Sequence, residues 1–213
     1  MKVILGCALF APVQYFVHLT RANDALIEVC DSYQRRSYRN RYVIYAANGP
    51  MALSVPVANE SGKKPMTRDV RVAYHLPWPD NHIRSIESAY NSSPYYLYYR
   101  DEIDAILQKK WTFLKDLNEA ALAFALDCAD IDPSVVSYTE DFFGTYDDRR
   151  DFRELIHPRM DIAREEEFKP QPYRQVLGLG KEFAPNLSIL DLIFNKGPET
   201  PLVLRDSYRN TQL

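Results

Sequence analysis

Glycine is scarce, at seven residues in a chain of 213. No G-x-x-x-x-G-K-[ST] loop and no G-x-G-x-x-G turn occurs, and Gly178-Leu-Gly180 is only a fragment of the second. A glycine-cradled phosphate is thereby set aside, and any phosphate here is expected on arginines. Cysteine is equally sparse. Cys7, Cys30 and Cys128 are odd in number, widely spaced and set in apolar runs, with no C-x-x-C pair. They read as reduced, buried thiols of a cytoplasmic protein, and with four scattered histidines no zinc site and no other metal site is expected. There is no G-x-S-x-G elbow and no haem or iron–sulfur pattern, so no cofactor is named. Basic charge is not in excess: the net charge is −3, against the usual balance of a nucleic-acid binder. Long apolar runs are missing too. Val3–Ala11 is far too short to span a bilayer. Lys2 raises the thought of a signal peptide, but no small-residue cleavage pattern follows Pro12, and a buried first strand is the better reading.

What the chain does have is tyrosine, 15 residues against 10 Phe and 2 Trp. Such rings suit either half-buried element edges or a polar ligand pocket. It also has arginine in one place. Tyr33–Arg41 holds Arg35, Arg36, Arg39 and Arg41 and no lysine. A guanidinium is a permanently charged planar fork that fits carboxylates and phosphates. An extended tract would put Arg35, Arg39 and Arg41 on one face, and a helical one would cluster Arg35, Arg36 and Arg39. Either the protein's own acids, such as those at 147–167, pair with them, or an anionic ligand does.

The pattern along the chain predicts an α/β fold in a single compact domain, with a mixed sheet in the N-terminal half and helices in the C-terminal half. Val3–Phe10 and Ala25–Cys30 are continuous apolar runs, the mark of strands covered on both faces, and Pro12–Arg21 between them predicts a helix and hence a parallel pair. Arg41–Ala46 and Met51–Val57 flank Asn48-Gly49, a hairpin signal. Asn59–Pro65 reads as a mobile loop and Val70–Ala73 as a short strand. Helices are expected over Asn81–Tyr90, Arg100–Lys109 and Phe113–Cys128, the last with apolar residues at spacings of three and four. Val135–Tyr138 reads as a strand. Thr139–Pro170 is dense in charge, and is either a solvated, partly mobile segment or a lid. Ser188 and Asp191 fit a capping box ahead of an apolar stripe that Gly197-Pro198 ends.

Asp31 follows a predicted strand, where α/β sheets collect ligands. It is a candidate general base, ligand-hydroxyl acceptor or partner of Arg35. His82, at the start of a predicted helix, is the candidate proton carrier. His18, His75 and His157 have weaker settings and read as structural or exposed.

These residues together resemble a known family. Pro12-Val-Gln-Tyr15-Phe16 is followed by Asp31-Ser-Tyr33-Gln-Arg35-Arg36-Ser37-Tyr38-Arg39-Asn40-Arg41, then Asn48-Gly49, then Val55-Pro56-Val57. Trp78, His82, Ile86, Tyr90, Pro94-Tyr95 and Leu117-Asn118 come next, and Asn186–Pro198 closes the pattern. The chain is similar to the WbqC-like family over nearly its whole length. The resemblance implies work in bacterial cell-surface polysaccharide (O-antigen-type) synthesis. As an enzyme, it would transfer a group to or from an activated or amino sugar. His82 and Asp31 would be catalytic, and Arg35, Arg36, Arg39, Asn40, Arg41, Tyr15 and Tyr38 would bind a phosphate- or carboxylate-bearing sugar. The alternatives are a non-catalytic module for an anionic sugar metabolite and an interaction protein of the same pathway. No nucleic acid and no membrane span are expected, and a homodimer is considered. Two departures stand out: Arg35-Arg36 replaces a Lys-Gln pair and Asp31 replaces Glu, which removes any Schiff-base lysine at position 35.

Overall fold

The computed structural model describes residues 1–58, 64–178, 180 and 182–209. The expected loop at 59–65 falls mostly outside these. Strand β1 (Lys2–Gly6) leads through helix α1 (Val13–Leu19) to strand β2 (Asp24–Glu28), and the two strands pair in parallel from Lys2↔Asp24 to Gly6↔Glu28. Val3, Ile4 and Leu5 are fully buried, so both faces of β1 are covered and an unbroken apolar run is what that position demands. The strand stops short of the predicted Phe10. After Gly6 the chain turns toward the arginine tract, with the Leu9 N–H donating to the Tyr38 carbonyl and Phe10 taking a left-handed φ of 39°. The apolar run therefore continues as buried loop.

Strands β3 (Arg41–Ala46) and β4 (Gly49–Ser54) form the expected hairpin as a separate two-stranded sheet. Ala47 and Asn48 make the turn, and Gly49 takes the positive φ of 109°. At that φ a Cβ would be strained, so the position favours glycine. The expected strand at Val70–Ala73 is an extended segment held by the single bridges Val57↔Val72 and Arg71↔Phe113. Helices α2 (Trp78–Tyr90), α3 (Tyr96–Gln108) and α4 (Leu114–Cys128) follow. Leu114, Leu117, Ala121 and Ala125 on α4 are fully buried, as their spacing predicts.

Strands β5 (Val136–Tyr138) and β6 (Arg150–Asp151) complete a four-stranded parallel sheet in the order β5-β2-β1-β6. The α/β class is as expected, but the sheet takes its outer strands from the second half of the chain. The charged 139–170 segment is correspondingly not just a solvated stretch. β6 pairs with β1, and Phe152, Ile156 and Phe168 enter the core. A two-residue strand pairs through its backbone, so its side chains carry no apolar signature. Helices α5 (Ile189–Lys196) and α6 (Thr200–Asp206) close the fold. The Ser188 hydroxyl caps α5 by accepting the Leu190 N–H, but Asp191 does not complete a capping box. Its buried carboxylate instead accepts from Tyr90, Tyr173 and Gln175. α5 ends where Gly197 adopts φ 49° against the Tyr95 ring, and a Cβ there would meet ring carbons at 2.5 Å.

Candidate functional site

The parallel sheet sets the place. In such sheets ligands collect beyond the carboxyl ends of strands, at the point where connections leave in opposite directions. Here β1 leads to β2 on one side while β6 lies on the other. Past these ends lies a narrow cleft lined by Gly6, Cys7, Tyr15, Tyr38, Arg39, Arg153 and His157, with room for about one water molecule. Through Arg153 it adjoins a wider cleft of about 460 Å³, lined by Cys30, Asp31, Gln34, Phe142, Asp151 and Glu154 among others. That volume suits a small ligand. Clefts of similar size beside the β3–β4 turn and at the carboxyl end of α4 contain none of the arginine-tract residues.

The tract is neither strand nor helix. It is a run of turns in which Arg36 takes a left-handed φ of 61° and the Ser37 hydroxyl donates to the Gln34 carbonyl. That reversal breaks both expected periodicities. Arg35 and Arg36 are exposed, Arg35 near Tyr33. Arg39 turns inward. It is 4% exposed, its Nη2 donates to Asp31 and its Nε to the Thr67 hydroxyl at 3.2 Å, while Thr67 donates to the other Asp31 oxygen. Nη1 makes no hydrogen bond among the described residues, and Arg39 itself lines the narrow cleft. Asp31 is thus the partner of Arg39 rather than Arg35. Asn40 splices the hairpin: its Nδ2 donates to the Val55 carbonyl at 2.7 Å and its own carbonyl accepts the Val55 N–H. Arg41 opens β3, with its Nε buried and unpartnered among the described residues. Of the expected ligand-binding residues, Tyr15, Tyr38 and Arg39 therefore share the cleft, and Arg35, Arg36, Asn40 and Arg41 do not line it.

His82 lies elsewhere, buried on α2. Its Nδ1 accepts the Tyr42 hydroxyl at 3.0 Å and its Nε2 faces the Ser54 carbonyl at 3.3 Å. Trp78 and Tyr42 meet the ring edge-on. Burial pulls its pKa down to about 4, so the ring is neutral and both nitrogens are engaged. It shares no hydrogen-bond partner with Asp31.

Three residues at the edge carry chemistry that the sequence reading passed over. Glu28 is fully buried. Its carboxylate accepts the Cys30 N–H and the Thr139 hydroxyl, each at 2.8 Å, and Arg153 Nη1 at 3.0 Å. Arg153 also grips Asp151 and donates to the Phe143 and Gly144 carbonyls at 2.9 Å, so all five of its donors are spent. Hydrogen bonds to Asp151 raise its pKa further. His157 accepts the Arg159 N–H on Nδ1 at 3.2 Å, which leaves the ring proton on Nε2. Burial, assisted by Arg159 and Arg39 and opposed by Glu154, lowers its pKa and keeps it neutral. Glu28 had a signal, a lone carboxylate inside an apolar run. Arg153 and His157 had only their membership of a charged segment. The nearby Cys7 thiol is no nucleophile, since burial pushes it up to about 11 despite the Asn118 amide donating to its sulfur.

The comparisons now bear on this geometry. A family model, the WbqC-like protein family, matches residues 8–155. The chain belongs to that family. The match takes in the arginine tract, the hairpin, α2 to α4 and the Glu28–Arg153 contact, and it stops before His157 and the 186–198 segment. No curated protein and no solved structure matches the chain. The matched region thus contains Tyr15, Tyr38, Arg39 and Arg153 of the cleft lining, while Gly6 and Cys7 lie just before it and His157 just after it. Among the described residues, no helix is long and apolar enough to cross a membrane.

Proposed function

We propose that the protein binds a phosphate- or carboxylate-bearing sugar at the carboxyl edge of the parallel sheet and transfers a group to or from it in cell-surface polysaccharide synthesis. The observation that carries this reading is the convergence of Tyr15, Tyr38 and Arg39 with Arg153 and His157 on the narrow cleft between β1 and β6, which adjoins through Arg153 the wider cleft of about 460 Å³ where a sugar has room. Arg39 offers Nη1 to an anion while Asp31 and Thr67 hold its plane fixed, the pre-set geometry that anion recognition requires. His157, with its proton on Nε2, takes over the proton-carrying role expected of His82, because it stands at the cleft and His82 does not. The pathway and the reaction class rest on the family resemblance.

A second reading, a non-catalytic binding module, has its own support. Asp31 is committed to Arg39 and Thr67, Arg153 is saturated, and Cys7 is held as a thiol. One experiment separates the two. Nucleotide sugars, acyl donors and inorganic phosphate are screened by thermal shift, and each hit is then followed for turnover by mass spectrometry. A ligand at ten times its Kd should stabilise the fold by roughly 1.4 kcal/mol. Tyr38→Phe and His157→Gln should weaken a hit about five- to ten-fold without moving the unfolding temperature of the free protein. Binding without turnover supports the module, and no response to any anion rejects both readings.

A further inference from the structure

At the end of α1, His18 meets two carboxylates that the proposed function does not use. His18 is 0% exposed, Glu165 4% and Glu167 8%, and one ligating atom from each lies within 4.8 Å of the others. His18 comes from the end of α1, while the two glutamates come from the segment that runs from β6 toward the end of α6, where the Glu167 carbonyl accepts the Arg209 N–H. The His18 ring is stacked on Phe152 with centroids 3.9 Å apart, which fixes its plane.

The polar groups here do not satisfy one another. His18 Nε2 and Glu165 Oε2 are 2.6 Å apart, Gln14 Nε2 donates to the same oxygen at 3.3 Å, and Arg150 Nη1 holds Glu167 Oε2 at 2.5 Å. His18 Nδ1 and Glu165 Oε1 are both buried without a partner among the described residues. Moving the His18 proton does not mend this. A neutral ring leaves a bare lone pair on Nδ1, and a protonated ring leaves a bare N–H. Glu165 Oε1 stays an orphan acceptor in both cases. Glu165 Oε1 is the orphan that a cation would satisfy, since an ion held on the Nε2 side of the ring leaves His18 Nδ1 as it is. The charges agree, since among the described residues the one permanent cation paired with either carboxylate is Arg150, on Glu167.

We propose that His18, Glu165 and Glu167 form a binding site for a divalent metal ion of the zinc class. One imidazole and two carboxylates are the donors that Zn²⁺ accepts, with bonds of about 2.0–2.2 Å. Closing the three atoms onto such an ion takes side-chain shifts on the order of 1 Å from the present spread, opening the short His18–Glu165 contact and drawing Glu167 in. The site is shut off from solvent, so its role is to staple α1 to the segment that carries Glu165 and Glu167. It is independent of the sugar-binding reading.

The test uses the full chain, stripped with a chelator, dialysed, and reloaded separately with Zn²⁺, Co²⁺ and Mg²⁺. One equivalent of Zn²⁺ should survive desalting, the unfolding temperature should rise, and the Co²⁺ form should show ligand-field bands with no thiolate charge-transfer band. Glu165→Gln and Glu167→Gln should each weaken Zn²⁺ at least ten-fold. Retention of less than a tenth of an equivalent, a thiolate band pointing to Cys7, Cys30 or Cys128, or unchanged affinity in both variants overturns the proposal. Should the variants fail to fold, the wild-type Co²⁺ spectrum and pulsed electron paramagnetic resonance still decide. Coupling to a single imidazole nitrogen supports the site, and its absence rejects it.

Discussion

Three tyrosine hydroxyls spend themselves on buried partners, Tyr42 on His82 and Tyr90 and Tyr173 on Asp191. Three of the 15 tyrosines are thus accounted for by polar groups in the core, while Tyr15 and Tyr38 line the cleft with Arg39. His82 shows what such a contact does to stability. Burial lowers its pKa to about 4 from an unfolded value of 6.5. Between those values the unfolded chain binds a proton that the folded chain refuses. Stability contributed by the neutral ring is therefore complete above pH 6.5 and is lost as pH falls toward 4, by about 3 kcal/mol over the full window. Asp191 works with the opposite sign in a window that opens upward from pH 3.8, because burial raises its pKa. Denaturant titrations at pH 7, 5.5 and 4.5 on the wild type and His82→Gln isolate the histidine. The wild type should lose stability more steeply, and parallel pH profiles would remove the assignment.

At the scale of elements, Arg153 is the clamp that ties β2, through Glu28 at 125 residues' distance, to β6 through Asp151 and to the loop before β6 through the Phe143 and Gly144 carbonyls. Phe142 and Tyr146 stack near its guanidinium. Arg153→Met should cost about 3–5 kcal/mol, because it strands the Glu28 charge in the core, and adding Glu28→Gln should recover part of that loss. Hydrogen exchange should accelerate over 142–146 in the single variant. Protection unchanged there would mean the loop is held by other contacts. This clamp also marks the limit of what the sequence reveals. β1, β2, the hairpin and α4 were legible because each repeats a local period or carries a turn signal. β6 was not, since two residues paired by backbone atoms leave no pattern. The arginine tract announced its composition but not its shape, which the left-handed Arg36 decides. For Asp31 the sequence left three roles open, with Arg35 as the arginine partner considered; the observed partners are Arg39 and Thr67, and the Arg39–Thr67 side of that triangle joins residues 28 apart, which spacing cannot show.

At the scale of the whole molecule, the family match ends at residue 155 while the core does not. Ile189, Leu190, Leu192, Ile193 and Phe194 on α5 are all fully buried in the same cluster that contains Val3, Leu5 and the inner face of α4. Ser188 bridges to Pro12, and the Val13 N–H donates to the Leu187 carbonyl, so α5 is tied directly to the start of α1. Burying five such side chains contributes about 7–15 kcal/mol, at roughly 1.5–3 kcal/mol each. That matches or exceeds the net stability of a typical domain, about 5–15 kcal/mol, so no folded state should survive without them. We therefore expect residues 1–155 expressed alone to lack a cooperative transition and to bind a hydrophobic dye, and the full chain to melt in one calorimetric step. A fragment that melts sharply, or a full chain with two separated transitions, would divide the protein at the end of the family match. A single transition would join the cleft residues and the C-terminal helices in one folding unit, making Arg39 and Arg153 dependent on α5 for their placement.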